Sequence, residues 1–282
     1  MNAQLIAAYR QAFLEPQRGL QRLYEMGKRD QWNVDALPWD GLDLRPLPAP
    51  FRDALAGLCC QLHYGEVASL LAAARCVEHA QDSAVRMFAA TQVMDEARHV
   101  EWFTRLIQKL DCTEPSPIHG SVSALIDSIY GGSTQDELFV GMQLIVEGLA
   151  QTVFQEAARL LRSMPSLLGE TDRSTGIHEQ GLTSLADWLT NGVARDESRH
   201  IAFGVLHLGQ RVRQLSPSQL GGLQKKIEHW GQLLLAIPQS DEPHFATLGL
   251  DSQALARRCI SDLNQHLRQA GLDVQIASPP LS

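Results

Sequence analysis

The sequence predicts an all-α protein, a four-helix bundle with additional helices before and after it. Three observations support that class. No segment sustains the alternation of apolar and polar residues expected of a half-buried strand. The pattern Asp-Glu-x-Arg-His occurs twice, at residues 95–99 and 196–200, each time within a long stretch of helical composition. Each copy follows an acidic residue set in an apolar run, Glu66 before the first and Glu147 before the second. That layout fits two helical hairpins.

Taken in order, residues 2–28 have helical composition, interrupted near Pro16. Residues 30–50 carry Trp32, Trp39, Pro38, Pro46, Pro48 and Pro50. They read as an irregular arm wrapped on the bundle, because Trp and Leu favour packing over disorder. Residues 51–80 form the first core helix and 84–110 the second, with a polar turn between them. Residues 112–120, with Pro115 and Pro117, are a loop, and 121–130 a short helix ended by Gly131-Gly132. Residues 134–162 are the third core helix. Residues 163–181 contain Pro165, Gly169, Asp172 and Gly176 and read as a loop. Residues 182–214 are the fourth core helix. Ser216-Pro217 starts a further helix, with Ser as N-cap and Pro in the first turn, running to about Ile237. Residues 252–270 are a last helix and 276–282 a loose tail. The chain is expected to be a single helical domain: an arm (1–50), a core (51–214) and a C-terminal extension (215–282).

The core helices carry the chemistry. On a helix, residues i and i+3 share a face. Glu96 with His99, and Glu197 with His200, can therefore each present an oxygen and a nitrogen to one point. Carboxylate and neutral imidazole are common ligands of first-row metals. A lone Glu-x-x-His occurs by chance in many helical proteins; two copies sharing an extra Asp and Arg do not read as chance. Glu66 and Glu96 lie nearly equidistant from the first turn, and Glu147 and Glu197 about equally far from the second. Antiparallel pairing would bring all four to one depth. An unpaired charge in an apolar run is costly, and a metal cluster would offset that cost. The alternative for Glu66 or Glu147 is an ion pair with an arginine.

With these residues the sequence resembles the ferritin-like di-iron carboxylate proteins, over roughly residues 51–212. The repeated Asp-Glu-x-Arg-His is most similar to the hydroxylase subunits of bacterial multicomponent monooxygenases. Ribonucleotide reductase small subunits and acyl-carrier-protein desaturases share the layout more loosely. The resemblance implies two iron ions, with Mn/Fe left open, held by Glu66, Glu96, His99, Glu147, Glu197 and His200. It implies that Asp95 and Asp196 support the ligand histidines. Arg98 and Arg199 suit the role of keeping those carboxylates ionised. Where reductase subunits place a radical-forming Tyr, this chain has Phe103. Where arylamine N-oxygenases carry an extra His, it has Val193. Where monooxygenases commonly have Thr, it has Gln151. Phe103, Val193 and Cys59 are candidate walls of a substrate pocket. The implied activity is oxidation of a small organic substrate by dioxygen. The external electron donor would be a ferredoxin or a reductase. N-oxygenation, acyl desaturation and non-catalytic iron binding are the rival readings.

Composition narrows the partners. The formal net charge is −8, with no Lys/Arg cluster, which disfavours nucleic acid and anionic membranes. Five cysteines without a Cys-x-x-Cys pair read as reduced thiols in a cytoplasmic protein. The first residues lack the pattern of a signal peptide, and no apolar stretch approaches a membrane span. A monomer or homodimer is expected rather than a ferritin shell.

Overall fold

The computed structural model describes residues 18–45, 47–112, 115–132, 134–167 and 179–278. Among these residues there is no strand. The helices are α1 (Arg18–Arg29), α2 (Ala49–His79), α3 (Ser83–Lys109), α4 (Gly120–Tyr130), α5 (Gln135–Phe139), α6 (Glu147–Leu167), α7 (Glu179–Trp188), α8 (Ala194–Arg211), α9 (Pro217–Ser240), α10 (Glu242–Thr247) and α11 (Ser252–Gln269). A π-helical segment, Val140–Val146, joins α5 to α6, and another, Leu189–Val193, joins α7 to α8. The bundle consists of α2, α3, α5–α6 and α7–α8. Helix α1 lies on α3 and α8, α9 on α4, and α11 on α6.

Local chemistry sets several boundaries. Asp82 caps α3, its side chain accepting from the N–H groups of Ala84 and Val85 at 2.6 and 3.4 Å. Ser216 and Gln219 form a capping box at the start of α9, with Pro217 in the first turn. Helix α6 continues through Pro165 to Leu167, beyond the expected end at residue 162. A proline near a helix terminus removes one hydrogen bond without ending the last turn. Helix α7 begins at Glu179, so both ends of the expected 163–181 loop are helical, and its residues 168–178 lie outside the described residues, as do residues 2–17 of the first expected helix. Ile276, the first residue of the expected loose tail, is held in place. The Asn264 amide donates to Ile276 O at 2.9 Å and accepts from Ile276 N at 2.8 Å, and the Ile276 side chain is buried.

The core has two apolar halves. One contains Ala72, Phe88, Phe139, Leu144 and Phe203 and extends onto α9 and α11. The other contains Leu55, Trp102, Phe103, Phe154 and Leu185, together with Trp39 and Leu44 of the arm. Along every bundle helix the chain passes from one half to the other, and the switch falls at the acidic and histidine positions. A polar layer thus crosses mid-bundle between two dry layers. The unit Gln135–Met164 is long and apolar enough to span a membrane by length and composition, where no such apolar stretch was expected. Most of it is buried in the bundle, around Glu147.

Helix α8 approaches the first π segment closely. A Cβ added at Gly204 would lie 2.7 Å from the Gln143 Cβ, which is fixed to its own backbone. Gly209, further along the same helix, has open space around it. Gly204→Ala should therefore destabilise the fold by about 1–3 kcal/mol through overpacking. Gly209→Ala should be neutral or stabilising, by up to about 1 kcal/mol. Urea unfolding of the two variants checks this, and equal effects would show that the close approach is not a constraint.

Candidate metal centre

Each bundle helix brings one acidic position to the same depth. Glu66 comes from α2, Glu96 and His99 from α3, Glu147 from the start of α6, and Glu197 and His200 from α8. The two π segments end just before the acidic positions of the second hairpin. The Glu147 N–H bonds Met142 O and the Ala194 N–H bonds Leu189 O, each spanning five residues. The additional residue in such a turn rotates the side chains beyond it, and π turns recur at functional sites.

Six side chains converge in two groups. Glu66, Glu96, His99 and Glu197 have ligand atoms within 4.8 Å of one another, and so do Glu96, Glu147, Glu197 and His200. All six are buried. Glu96 and Glu197 belong to both groups, and their oxygens divide between them. Glu96 Oε2 lies 3.3 Å from His99 Nδ1, and Oε1 lies 3.2 Å from His200 Nδ1. Glu197 places Oε1 3.0 Å from His99 Nδ1 and Oε2 3.0 Å from His200 Nδ1. Glu66 Oε2 reaches only His99, at 3.2 Å, and Glu147 Oε2 lies 3.9 Å from His200. Two carboxylates straddling two half-sites, with one terminal carboxylate and one imidazole apiece, form a set that can hold two cations.

Behind each imidazole stands an Asp from the opposite hairpin. His200 Nε2 lies 3.3 Å from Asp95 Oδ2, and His99 Nε2 lies 3.5 Å from Asp196 Oδ2. Arg199 donates to Asp95 at 2.5 Å and to Asp196 at 3.1 Å. Arg98 donates to Asp95 and reaches Asp196 at 3.5 Å, while its other amino group bonds Gln31 at 2.6 Å. Burial opposes ionisation of both Asp residues. The contacts of Asp95 with His200 and Arg199 outweigh it, and so do those of Asp196 with His99, Arg199 and Trp32, so both carboxyls stay below their ordinary range. The ionised Asp95 on Nε2 of His200 leaves Nδ1 as the acceptor that faces the centre, and Asp196, 3.5 Å from His99 Nε2, favours the same tautomer there.

Charge and orphaned atoms test whether cations fit. Six buried carboxylates (Glu66, Asp95, Glu96, Glu147, Asp196 and Glu197) face two buried guanidinium groups, Arg98 and Arg199. With neutral imidazoles, two divalent ions would cancel the remainder. Glu96 Oε2 and Glu197 Oε1, the shared carboxylate oxygens on the His99 side, have no hydrogen-bond partner. Buried oxygens of this kind are normally satisfied, and metal ligation would satisfy them here.

Three participants carry no ligand-type signal in the sequence. Gln92 donates to Glu96 Oε1 at 3.1 Å and to Glu147 Oε1 at 3.0 Å, and Gln143 donates to Gln92 at 2.9 Å. Each Gln stands four residues before a site Glu, on the same helix face, which is the one hint available. Trp32, from the arm, donates Nε1–H to Asp196 at 2.8 Å and stacks on His99 at 6.2 Å. No spacing rule links it to a residue so distant in the chain.

Other expected site residues lie elsewhere. Gln151 is half-buried and donates to Ser198 at 2.5 Å rather than to any of the six. Phe103 and Cys59 border a void of about 20 Å³, room for little more than one water. Val193 is buried in the same apolar half, within the second π segment. Phe103 lies edge-on against Trp102 and tilted against Phe154, which narrows that void. A larger channel, about 100 Å³, also runs along α2 and shares Leu58 and Leu62 with that void. Its lining is apolar, including Leu62, Val146, Val153 and Cys259, with Glu66 among its wall residues. Burial pushes the Cys259 thiol up to about 12, so it stays protonated.

The electrostatics of the centre give two expected outcomes. Asp95→Ala or Asp196→Ala should lower metal affinity by about 10–100-fold, as loss of a ligand's supporting partner does. Titration with Mn²⁺ checks it, and unchanged affinity in both variants would remove these residues from the centre. The second concerns pH in the metal-free chain. Burial lifts the Glu66 carboxyl from 4.5 to about 8, and burial with the neighbouring Glu197 and Glu96 lifts Glu147. Both hold protons in the folded chain that the unfolded chain releases above its ordinary 4.5, so stability falls as pH rises across that interval. Burial alone would lower the pKa of His99 and His200, but the surrounding carboxylates raise both above 6.5, which acts in the same direction. The Tm of the metal-free chain should drop between pH 5 and 8, and the metal-loaded chain should lose less. A metal-free Tm that rises over this range would contradict the assignment.

No known family model matches the chain, and no curated protein matches it. Solved structures do. A Tyr-to-Phe variant of an R2-like ligand-binding oxidase with aerobically reconstituted Mn/Fe cofactor aligns at TM-score 0.65 and 20% identity, covering 90% of this chain and 93% of that one. A Val-to-Ala variant with anaerobically reconstituted Mn/Fe cofactor aligns at TM-score 0.66 and 21% identity, over the same shares. A Val-to-Ile variant aligns at TM-score 0.63 and 21% identity, covering 90% and 94%. The chain therefore has the helical ferritin-like fold of these oxidases, over nearly its whole length.

Proposed function

We propose that this protein is a di-iron or mixed Mn/Fe oxidase that uses dioxygen to oxidise a small, largely apolar organic molecule. The observation that carries the reading is the placement of the apolar channel. Glu66, a terminal carboxylate of the centre, belongs to its wall, and the remaining lining is almost wholly hydrocarbon. Leu58, also on that wall, lies eight residues before Glu66, about 12 Å along the helix axis. A slender apolar molecule would lie along α2 with one part beside Glu66. The fold neighbours are named as ligand-binding oxidases with a Mn/Fe cofactor, which supports the same class.

Two redox metal ions supply dioxygen activation when bound. The chain's own residues do the rest. Glu96 and Glu197 would hold both ions, with Glu66 and His99 completing one half and Glu147 and His200 the other. Asp95 and Asp196 fix the imidazole tautomers. Gln92 and Gln143 orient Glu96 and Glu147. The apolar layers on either side keep bulk water from the centre. Electrons would come from an external donor, a ferredoxin or a reductase.

Reconstituted protein should hold about two irons per chain, the occupancy of a two-metal site. Glu197→Ala, which removes a shared carboxylate, should lower that number and abolish oxygen consumption. Val153→Phe should keep both metals but reduce kcat/KM for an apolar substrate about 10-fold or more, since one or two carbons matter that much in a tight pocket. Labelled dioxygen decides the reaction type. Label in the product indicates oxygenation, whereas oxidised product without label indicates dehydrogenation. With Phe103 where a radical-forming Tyr would stand, no long-lived tyrosyl radical should form on exposure to oxygen. If the di-iron protein consumed no oxygen with any apolar probe, or formed such a radical stably, the proposal would fail.

A further inference from the structure

Away from the metal centre, His119, Asp241 and His244 converge where the residue before α4 meets the junction of α9 and α10. Asp241 Oδ1 lies 2.8 Å from His119 Nε2 and 2.8 Å from His244 Nδ1. The Asp241 side chain is 3% exposed, while the imidazoles are 27% and 32% exposed. The site therefore joins a buried anion to two donors that solvent can reach. The ring centroids are 5.9 Å apart and tilted by 55°.

The surroundings hold this arrangement from both sides. Asp241 closes α9, its N–H bonding Ile237 O at 3.2 Å, and its carbonyl accepts from His244 N at 3.0 Å. Gln61 on α2 fixes the segment that carries His119. Its Oε1 accepts from His119 N at 2.9 Å, and its Nε2 donates to Pro117 O at 3.0 Å. Ser121 donates to Ser240 at 2.9 Å across the same junction. Helix α2 makes room for the His244 ring with Gly57, where a Cβ would lie 2.7 Å from Cε1. The ion pairs of Asp241 among the described residues are with these two imidazoles, with no Lys or Arg in range.

We propose that His119, Asp241 and His244 bind one first-row divalent cation, with Zn²⁺ as the reference ion and water in the remaining coordination positions. Two imidazoles and one carboxylate are a common three-ligand set for such ions. At metal–ligand distances of about 2.1 Å, adjacent donors stand about 3.0–3.4 Å apart. The observed 2.8 Å needs to open by a few tenths of an ångström, which a small side-chain rotation provides. Asp241 also belongs to the apolar channel wall, so the ion would sit at the channel's edge, away from Glu66. This inference stands independently of the di-metal reading.

The test removes the main centre and counts what remains. Full-length protein carrying Glu96→Ala and Glu197→Ala, stripped with chelator, is titrated with Co²⁺. One Co²⁺ per chain should bind, and adding His119→Gln or His244→Gln should weaken it by at least about 10–100-fold, the loss seen even for supporting residues. A second measurement uses the native chain. Zn²⁺ should protect His119 and His244 from acylation by diethyl pyrocarbonate, read by peptide mass spectrometry, while the exposed His79 stays reactive. Co²⁺ binding that ignores both histidine substitutions, or equal acylation with and without Zn²⁺, overturns the proposal. Protection in the native chain decides the matter if the multiple variant does not fold.

Discussion

Six carboxylates buried at one depth are the constraint on which the rest of this structure depends. Isolated buried charge is expensive enough that it normally neutralises or is paired. Here the chain pairs only part of it. Arg98 and Arg199 serve Asp95 and Asp196, and among the described residues no arginine or lysine is within ion-pair range of Glu66, Glu96, Glu147 or Glu197. A bundle evolved for stability alone would fill that layer with leucine. The cost of leaving the four carboxylates without a lysine or arginine makes sense if metal ions complete the layer, and the dry apolar halves on either side strengthen every interaction made there.

The second constraint is the crossing of the supporting contacts. Asp95 faces the imidazole of His200, and Asp196 faces that of His99. Arg199 bonds both Asp residues, and Arg98 reaches both. The repeated five-residue pattern therefore works as an interlock rather than as two independent half-sites. Each hairpin supplies ligands to the centre and the groups that orient the other hairpin's histidine. Breaking one buried pair of this kind commonly costs about 3–5 kcal/mol, because the partner is left charged in a dry site. Positioning of the ligands and cohesion of the two hairpins thus draw on the same four side chains.

That interlock marks the limit of what the sequence disclosed. The helical class, the bundle and the convergence of Glu66, Glu96, His99, Glu147, Glu197 and His200 were legible, because i, i+3 spacing and hairpin depth are local geometry. The partner of each Asp was not, since either hairpin could have supplied the imidazole. Trp32 reads in the sequence as a packing residue of the arm, and its bond to Asp196 depends on how the arm crosses α8. Phe103 and Cys59 share a helix face with ligands, but aromatic packing leaves only a small void beside them. Asp241 and His244 do have the i, i+3 spacing of a carboxylate–histidine pair, but His119 lies 122 residues before Asp241, with no spacing that links it to them. The three meet only because α4 and α10 fold onto Asp241.

The two hairpins also differ in a way that their shared pattern conceals. Helices α2 and α3 reach their ligands as regular α-helix, whereas both helices of the second hairpin pass through a π segment first. A π turn adds one residue to the circuit and changes which side chains point inward beyond it. Upstream of Glu147 that segment is packed with Val140, Met142, Leu144 and Ile145, all buried, so an unbroken α-helix would have to move either this apolar set or Glu147 off the inner face. The wider turn lets both stay. It also presents Gln143, held where Gly204 admits close approach of α8, to the amide chain that ends on Glu96 and Glu147. The irregular helix geometry, the glycine contact and the glutamine pair are parts of one solution to seating a carboxylate inside an apolar helix.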